Sequence, residues 1–455
     1  MAAQDDRRSQ SAVESNSKIE AEAEALDHGL NENTSEDEYP EGGMYAWATV
    51  LGAVLVQFCG LGYTTTFGVF QDYYTRIYLT NASPSAISWI GSVNSFLCIA
   101  ASLCTGILYD KGYFYHLLYG GSLLISFSLF MLSFTQPNRL YQVFLAQGIG
   151  FGLGSGLNFL PTVAIVSQHF NRRESLAMII VVSGASLGAI VHPILLNKLF
   201  AMPELGFART VRASAAMVSG LLIVACLLIR QREKPGDRQR AGGGTLKNTN
   251  VWDIVTGSAK DLPFMCFCIS LAVFSIGFYY PIFYLQLDAI KHGVDEGFSF
   301  YVLTITNVGC LVGGLLPAVL VKAFGEEAIV VGSAIATAAS VFAILGLKDL
   351  VTSGNSLIST VVIAVVYGLF IGMFFALQGP IVSVLTPDAS TLGARLGIAF
   401  TSCAVGALVG PPIHGALLTD AFDWQKPAVF SGVGHIRCAQ LLEPSSDHLP
   451  RFSPF

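Results

Sequence analysis

Long apolar runs, each of about 20 to 28 residues and nearly free of charge, follow one another from Met44 to about Phe430. A helix of about 20 apolar residues crosses the hydrocarbon core of a bilayer. Only helices and closed barrels satisfy their backbone polar groups in lipid. The pattern therefore predicts an all-α membrane protein with many spans, a layout that favours transport over catalysis.

The apolar runs predict eleven complete spans and the beginning of a twelfth. The complete spans are placed at 44–70, 85–108, 117–134, 141–167, 175–200, 213–229, 262–287, 298–321, 329–347, 357–385 and 392–418. The next apolar stretch, Pro427–Gly434, is too short to cross a bilayer and is followed by a polar tail. We therefore expect an incomplete twelfth helix, which a misread splice site, a frameshift or a genuine short form would each produce.

The series of spans breaks once, at a polar and basic stretch from Arg230 to Asp261. This break predicts two six-helix bundles. Residues 1–41 hold 12 acidic and three basic residues, and this composition is typical of disorder. The predicted divisions are an acidic cytoplasmic tail (1–43), an N-terminal bundle (44–230), a basic cytoplasmic linker (231–261), a C-terminal bundle (262–436) and a polar tail (437–455).

Positive charge sets the expected orientation. With the N-terminus inside, 17 of the 25 Lys and Arg residues fall on the cytoplasmic side and 8 on the outer side. This excess is in the direction that the positive-inside rule requires. We expect a multi-pass protein with a cytoplasmic N-terminus in the plasma membrane, with the vacuolar membrane as the open alternative.

One pattern of an Arg, an Ala, two Gly and a His occurs in the fifth span and again, 222 positions later, in the eleventh. The two sets are Arg173, Ala177, Gly184, Gly188, His192 and Arg395, Ala399, Gly406, Gly410, His414. These helices are equivalent if the two halves are parallel repeats. Each Gly pair predicts a face where another helix approaches closely.

The histidines of this repeat are candidates for proton sensing. The helical rise places His192 and His414 near the outer ends of their spans. Because histidine titrates near physiological pH, the pair is expected to sense or pass protons at the outer mouth. The alternative is that both are interfacial histidines with satisfied hydrogen bonds.

Four segments resemble the monocarboxylate porters of the major facilitator superfamily. Glu41–Trp47 opens the first span like their acidic-Gly-Gly-x-x-Ala-Trp signature, and Phe170–Arg173 followed by Gly184 resembles their second signature. Gly106–Gly112 is similar to the superfamily's loop between spans two and three, and Gln142–Pro161 is similar to the fungal branch. The resemblance implies the major facilitator fold, with two bundles around a central cavity that opens alternately inward and outward.

By the same resemblance, Asp110 with Arg172 and Arg173 would form a charge latch at the cytoplasmic side. Arg395 is the repeat counterpart of Arg173 and is a further gating candidate. The alternative is a topology anchor, in which positive charges simply hold helix ends at the cytoplasmic surface.

The chain departs from the family where a carboxylate substrate would bind. Tyr63–Phe67 lacks the Lys of animal members, Gly314 stands where an Arg is common, and Lys322 replaces an acidic residue. A buried carboxylate needs a positive partner, so a lactate-like substrate is disfavoured. Polar and aromatic side chains in the spans expected to line the cavity are the substrate-binding candidates, with contacts between helices as the alternative: Tyr63, Asn158, Tyr280, Tyr284 and Gln378.

These features predict a secondary active or facilitative transporter of a small organic molecule, either monocarboxylate-like or a larger secondary metabolite. Export and import both stay open, and protons are the candidate coupling ion. The sequence has no nucleotide-binding Gly-rich loop and no metal-binding motif, so we expect no cofactor, no metal, no nucleic-acid partner and no enzymatic activity. The alternative is a non-transporting sensor, or a transporter inactivated by its incomplete twelfth span.

Overall fold

The computed structural model describes residues 42–170, 174–202, 204–232, 256–291, 295–345, 356–386, 392–418 and 424–446. Within these ranges the chain is helical and forms no strand. The helices are α1 (Met44–Tyr78), α2 (Pro84–Asp110), α3 (Phe114–Leu132), α4 (Leu140–Ala164), α5 (Glu174–Phe200), α6 (Gly206–Leu228), α7 (Leu262–Lys291), α8 (Glu296–Leu315), α9 (Pro317–Leu345), α10 (Ser356–Ala376, continued by Gln378–Val384), α11 (Leu392–Leu418) and α12 (Gln425–Ser446).

Ten helices in the described ranges are long and apolar enough to cross a membrane, and α8 adds the shorter apolar segment Tyr301–Leu315. The protein is therefore a multi-pass membrane protein, as the hydrophobic pattern predicts. Many large apolar side chains lie exposed on the outside of the bundle, for example Leu123, Leu227 and Val319. In water this surface would be unfavourable, whereas in a bilayer it faces lipid tails of the same polarity.

The helices alternate in direction, so their ends gather at two opposite ends of the molecule. A Cβ on Gly52 of α1 would meet Ile229, which follows α6, and Arg395 at the start of α11 pairs with Asp261 just before α7. We call this end the linker end, because residues 232 and 256 leave it toward the linker. The opposite end, which holds Asp72 and Gln286, is called the far end.

The first span is not a regular helix. It breaks at Gly60 (φ −88°, ψ −89°) and again at Thr65–Thr66, and it ends in a π-helical turn at Tyr74–Tyr78. The hydroxyls of Thr65 and Thr66 donate to the carbonyl of Gly62 at 2.9 and 3.1 Å. Because threonine hydroxyls compete for backbone carbonyls, three consecutive threonines favour a break here.

The Gly-Gly-His repeat builds the same helix contact in both halves. A Cβ on Gly184 of α5 would lie 2.5 Å from the carbonyl oxygen of Val54 in α1, and one on Gly410 of α11 would lie 2.6 Å from that of Ile276 in α7. A side chain larger than hydrogen cannot fit at these positions. The prediction of close helix faces is confirmed, and we call these contacts the α1–α5 seam and the α7–α11 seam.

The chain reverses between the eighth and ninth spans at Gly325, not at the formal end of α8. Leu316 keeps helical angles (φ −61°, ψ −38°), so α8 runs on into the first residues of α9. Gly325 then adopts φ 77° and ψ 158°, which a residue with a Cβ rarely adopts. The position agrees with the predicted boundary between the spans 298–321 and 329–347.

The twelfth helix differs from its expected boundary at residue 436. α12 runs from Gln425 to Ser446, and its 22 residues span about 33 Å at the usual helical rise, enough to cross a bilayer. It continues because residues at helical spacing, polar ones among them, are buried against α7 and α9: Ala428, Ser431, His435, Cys438, Ala439 and Leu442. The helix is thus complete in length, although it is too polar to count among the ten apolar spans.

Candidate functional site

The two halves of the molecule close against each other at the far end. The rings of Phe67 in α1 and Phe283 in α7 have centroids 4.9 Å apart. Gly68 packs its backbone on the carbonyl of Ile282, and a Cβ on Gly91 of α2 would meet Phe283 at 2.7 Å. These contacts leave no room for a side chain at either glycine, so the halves are sealed here.

The second helix extends this seal onto α7 and α11. Ser88 and the hydroxyl of Tyr284 are in hydrogen-bond contact, and Ser85 donates to the carbonyl of Pro412 at 2.8 Å. A Cβ on Gly415 would lie 2.6 Å from the Cα of Ser85. Backbone-level contact between α2 and α11 therefore joins the halves beside the α1–α7 contact.

A third contact joins α8 to α5. The amide of Asn307 donates to the carbonyl of Ala189 at 2.9 Å and, on its own helix, to that of Leu303 at 3.0 Å. Asn307 is buried, so both bonds are shielded from water. The amide therefore fixes the position of α5 along the helix axis of α8 in the C-terminal half.

An ion pair with a buried carboxylate lies in the same seal. Arg76 binds Asp72 through both carboxylate oxygens, with Nε to Oδ1 at 2.7 Å and Nη2 to Oδ2 at 2.6 Å. The side chain of Asp72 is 3% exposed and that of Arg76 is 23% exposed. Gln286 of α7 donates to Asp72 Oδ2 at 3.4 Å and to Asn197 Oδ1 of α5 at 3.3 Å. Three helices from both halves thus meet at one charged group.

The sequence did not predict this pair, because the first span was placed at 44–70. Charges are normally excluded from spans, and Asp72 and Arg76 follow the predicted end of this one. The signal that could have found them is their spacing of four residues, which pairs opposite charges on one helix face.

Three substrate-binding candidates lie within one half each. Ser214 of α6 donates to the hydroxyl of Tyr63 at 3.3 Å, and Tyr63 packs on Phe151 of α4. Asn158 contacts Ser122 of α3. Gln378 reaches the sulfur of Cys403 in α11 at 3.7 Å. In this state all three side chains contact neighbouring helices of their own half. Such contacts between helices are the alternative to substrate binding that the sequence left open.

The two other substrate-binding candidates lie closer to the seal. Tyr284 crosses between the halves through Ser88 and also approaches the carbonyl of Pro84 at 3.4 Å. Tyr280 packs against His414 with ring centroids 5.3 Å apart, and its buried hydroxyl has no partner among the described residues. Of the five candidates, Tyr284 alone joins the two halves in the contacts described here.

His192 and His414 are both fully buried, and their role in proton sensing stays a prediction. Their Nε2 atoms bond the backbone carbonyls of Phe58 at 3.1 Å and Ile276 at 2.9 Å. A carbonyl oxygen only accepts, so each ring donates from Nε2. The structure places the pair inside the two seams because the Gly pairs bring α1 and α7 close enough for a histidine to reach their backbones.

Arg395 joins three helices at the linker end of the C-terminal half. It pairs with Asp261 at 2.8 Å, donates to the carbonyl of Leu385 at 2.8 Å and lies 4.7 Å from the ring centre of Phe264. Arg172 and Arg173 lie outside the described residues, as does the side chain of Asp110, so the proposed latch stays a prediction.

One groove lies away from the seal. It has a volume of about 320 Å³ between α3 and α4, and residues with exposed apolar side chains line it, including Phe127, Met131 and Leu145. Several of its lining side chains are exposed on the outer flank of the bundle. Among the described residues, no group of three His, Cys, Asp or Glu side chains could hold a metal ion.

Comparison with known proteins identifies the family. The sequence profile of the Major Facilitator Superfamily matches residues 44–316 and, in a second match, residues 265–442. The chain therefore belongs to this superfamily of membrane transporters.

Several similar proteins are fungal transporters. The aspyridones efflux protein apdF of Emericella nidulans is 32% identical over 395 residues, which cover 86% of this chain and 76% of that protein. The agnestins efflux protein AgnL12 of Paecilomyces divaricatus is 34% identical over 391 residues, covering 84% and 83%. The fujikurins efflux protein of Gibberella fujikuroi is 30% identical over 396 residues, covering 87% and 81%.

Solved structures share the fold at low sequence identity. A crystal structure of the peptide transporter POT in complex with sulfate matches with a TM-score of 0.69 and 14% identity over 90% of this chain and 96% of that one. The nucleoside transporter NupG matches with a TM-score of 0.65 and 12% identity over 88% and 99%. The major facilitator fold expected from the sequence is confirmed.

Proposed function

We propose that the chain exports a small organic molecule across the plasma membrane by alternating access, as a secondary active or facilitative transporter. The observation that carries this proposal is the far-end seal, where Phe67 packs on Phe283 and Gln286 bonds Asp72. In an alternating-access cycle, two halves close at one end of the molecule and part there in the opposite state. We also propose that the chain acts as a transporter and not as an enzyme.

The proposed orientation puts the linker end in the cytoplasm. Lys and Arg are enriched in the connections of that end, which the positive-inside rule assigns to the cytoplasm. The far end then faces outward, and the state described here is closed to the outside. A substrate would enter from the cytoplasm and leave after the far-end seal parts, with protons as the candidate coupling ion.

The proposed substrate is a mostly neutral secondary metabolite larger than lactate. Arg76 is neutralised by Asp72, so it is not free to bind a carboxylate in this state. The chain also has the uncharged Gly314 at a position where an Arg is common in the monocarboxylate porters that it resembles. The relatives named for efflux of aspyridones, agnestins and fujikurins support export of such a compound.

Monocarboxylate uptake is the second candidate, and the signature segments Glu41–Trp47 and Phe170–Arg173 favour it. The two candidates differ in direction, charge of the substrate and dependence on pH. Uptake and efflux should be measured in intact cells that express the chain, with monocarboxylates and larger neutral metabolites at two external pH values. We expect export of neutral compounds; acid-stimulated uptake of monocarboxylates alone would establish the second candidate.

A matched pair of variants tests whether transport needs the far-end seal. Gly68→Leu places a side chain against the carbonyl of Ile282 and should prevent closure, whereas Gly332→Leu enters open space on the outside of α9. We expect Gly68→Leu to reach the membrane and lose transport, while Gly332→Leu keeps it. Full transport by Gly68→Leu would contradict alternating access at this seal.

A further inference from the structure

The N-terminal half contributes two separate helix segments to the far-end seal. Residues 67–78 of α1, which we call the gate segment, meet α7 through Phe67 and Gly68. The far-end part of α2 meets α7 and α11 through Ser88 and Ser85. In an alternating-access cycle the far end opens only when both segments leave the C-terminal half.

A chain of buried side chains connects these two segments through α4. Thr64 of α1 donates to Asn94 Oδ1 of α2 at 3.0 Å and also contacts the thiol of Cys98 on the same helix. Asn94 Nδ2 donates to the backbone carbonyl of Gln147 in α4 at 2.8 Å. The hydroxyl of Tyr74, in the gate segment, donates to Gln147 Oε1 at 2.7 Å. The chain thus ties α1 to α2 and α4 at two heights.

This network is shielded from water and joins two π-helical turns. The side chains of Thr64, Tyr74, Asn94 and Gln147 are each at most 5% exposed. Tyr74 begins the π-helical turn of α1, and Gln147 lies within the π-helical turn Phe144–Gly150 of α4. Such turns are rare and are frequently found at functional sites. Their meeting through one hydrogen bond points to a role in function as well as in stability.

The contact between α2 and α4 gives the network a rigid base. A Cβ on Gly152 of α4 would lie 2.9 Å from the Cα of Asn94, and one on Gly156 would lie 2.6 Å from the carbonyl oxygen of Leu97. Small residues let helix backbones approach this closely. Because close-packed interiors transmit strain and do not deform easily, α2 and α4 form one rigid unit, which we call the α2–α4 block.

We propose that Asn94 and Gln147 are positioning residues for transport, which fasten the gate segment to the α2–α4 block so that both segments of the seal leave the C-terminal half together. Neither side chain has to touch the substrate for this role. The inference rests on the proposed alternating-access function and deepens it, because it names the residues that couple the two parts of the far-end gate.

The physical reason is the break in α1 before the gate segment. The helix is interrupted at Gly60 and again at Thr65–Thr66, so its own backbone does not fix where the gate segment lies. Hydrogen bonds in a low-polarity interior are electrostatically stronger than in water. Removing one partner leaves the other unsatisfied and buried, which is costly. The network therefore holds the gate segment at one position on the α2–α4 block.

Two cysteine reporters observe the two segments separately. Leu303 of α8 is buried beneath the gate segment, where a Cβ on Gly68 would lie 3.3 Å from its Cδ2. Ser92 of α2 is fully buried and lies one turn after Ser88, on the face that meets α7. Leu303→Cys should react with an impermeant maleimide when the gate segment leaves α8, and Ser92→Cys should react when α2 leaves α7.

The first experiment compares Gln147→Leu with Gln57→Leu, each combined with either reporter. Gln57 is an equally buried glutamine that also joins α1 to α4, but it precedes the break in α1. We expect Gln147→Leu to raise the rate of labelling at Leu303→Cys about fivefold, the population shift that one lost hydrogen bond produces. Labelling at Ser92→Cys should stay at the parent rate, and Gln57→Leu should change neither rate.

Three results would overturn the coupling role of the network. These are no rise at Leu303→Cys, an equal rise at both reporters, or the same rise with Gln57→Leu. The chain without reporters gives the background from its nine native cysteines. Labelling needs no known substrate, so a failed transport assay and a failed coupling remain distinguishable.

The second experiment removes the other partner of the same hydrogen bond. Tyr74→Phe keeps the ring and deletes only the hydroxyl that donates to Gln147, so it also serves if Gln147→Leu does not assemble. Tyr74→Phe alone and the double variant Tyr74→Phe/Gln147→Leu should raise labelling at Leu303→Cys by the same factor as Gln147→Leu. If the two single effects multiply in the double variant, the residues act independently and the network assignment is wrong.

The third experiment tests the bond between Thr64 and Asn94. Thr64→Val keeps the shape of the side chain and removes the donor to Asn94, whereas Thr64→Ser keeps the hydroxyl. We expect faster labelling at Leu303→Cys in Thr64→Val and the parent rate in Thr64→Ser. Equal rates in the two variants would show that the hydroxyl does not act on the gate segment, and Asn94 would lose its assigned role.

Discussion

The α1–α5 seam and the α7–α11 seam have glycines and a histidine at matching positions. The helix α1 is nevertheless broken, whereas α7 is continuous. In α1 the carbonyl of Gly62 is satisfied by Thr65 and Thr66 of the same helix. In α7 the interior Pro281 removes the N–H that would reach the carbonyl of Gly277, but the hydroxyl of Ser431 donates to that carbonyl at 2.8 Å.

Both helices accept one bond from a seam histidine, but the remaining carbonyls differ: neighbouring helices satisfy those of α7, whereas hydroxyls of α1 itself satisfy the carbonyl of Gly62. His414 of α11, Ser431 of α12 and Tyr367 of α10 each bond one of the consecutive carbonyls 276, 277 and 278 of α7. Local hydroxyls let a helix bend, because each freed carbonyl finds a partner that moves with it. Partners from other helices hold a helix straight, because bending would break all three bonds. The bent helix is also the one that carries Asp72 and Arg76.

The largest expected effect comes from filling either seam. Gly188→Leu and Gly410→Leu drive a side chain into the backbone of Phe58 or Ile276. We expect each to destabilise the protein by about 3 kcal/mol or more, the upper range for overpacking, and to abolish recovery of monodisperse protein in detergent. Monodisperse protein can be measured by size-exclusion chromatography.

Glycines that face open space supply the controls for this prediction. A Cβ on Gly120 of α3 or Gly332 of α9 meets no heavy atom within 4 Å. Gly120→Leu and Gly332→Leu should be recovered like the parent chain. Equal recovery of all four variants would show that the seams tolerate separation and that the repeat does not fix the helix spacing.

The second prediction concerns the bond that repairs α7. Ser431→Ala leaves the buried carbonyl of Gly277 without its hydroxyl donor, and an unsatisfied buried group costs about 1–3 kcal/mol. Pro281→Ala restores the backbone N–H, so the double variant should recover part of the lost thermal stability. We expect the double variant to melt at a higher temperature than Ser431→Ala alone; additive losses would show that the hydroxyl does not compensate for the proline.

Ser431 belongs to α12, which is longer than the hydropathy of the sequence predicts. Hydropathy counts how well a segment suits lipid, and the polar residues after Gly434 reduced that count. It does not register that Ser431, His435 and Cys438 face protein and not lipid. The alternative of a transporter inactivated by an incomplete twelfth span is weakened by a helix that packs along α7 and α9.

The sequence predicted the spans and the seams well because both depend on patterns along the chain. Apolar length fixes a span, and the spacing of Gly184 and Gly188 fixes one face of a helix. The sequence could not tell which face of α1, α4 or α10 meets the other half, so Tyr63, Asn158 and Gln378 were chosen by helix alone. Their contacts within a half follow from helix rotation, which only packing determines.

The third prediction compares the two histidines. His192→Phe and His414→Phe each remove one hydrogen bond to a carbonyl while keeping a ring of similar shape, so each should cost about 1 kcal/mol. The matched geometry of the seams predicts similar losses in thermal stability. Because both rings are fully buried, the pH profile of transport by the double variant should not change. A shifted profile would show that protons reach the pair and would support the sensing hypothesis.

The smallest effect is expected in α1, where two hydroxyls bond the same backbone carbonyl. Thr66→Val keeps the shape of the side chain and removes one hydroxyl, but Thr65 still donates to the carbonyl of Gly62. The carbonyl therefore stays satisfied, and we expect a loss of about 0.5 kcal/mol or less in the free energy of unfolding.

The double variant Thr65→Val/Thr66→Val removes both hydroxyls that donate to Gly62, so the two losses should be more than additive. Thermal melting of the two single variants and the double variant measures this coupling. Strictly additive losses would mean that each hydroxyl acts alone and that the break in α1 is held by its packing on Gly188 of α5. A coupled loss would instead show that α1 carries its own hinge, which moves with the helix and needs no partner from the rest of the bundle.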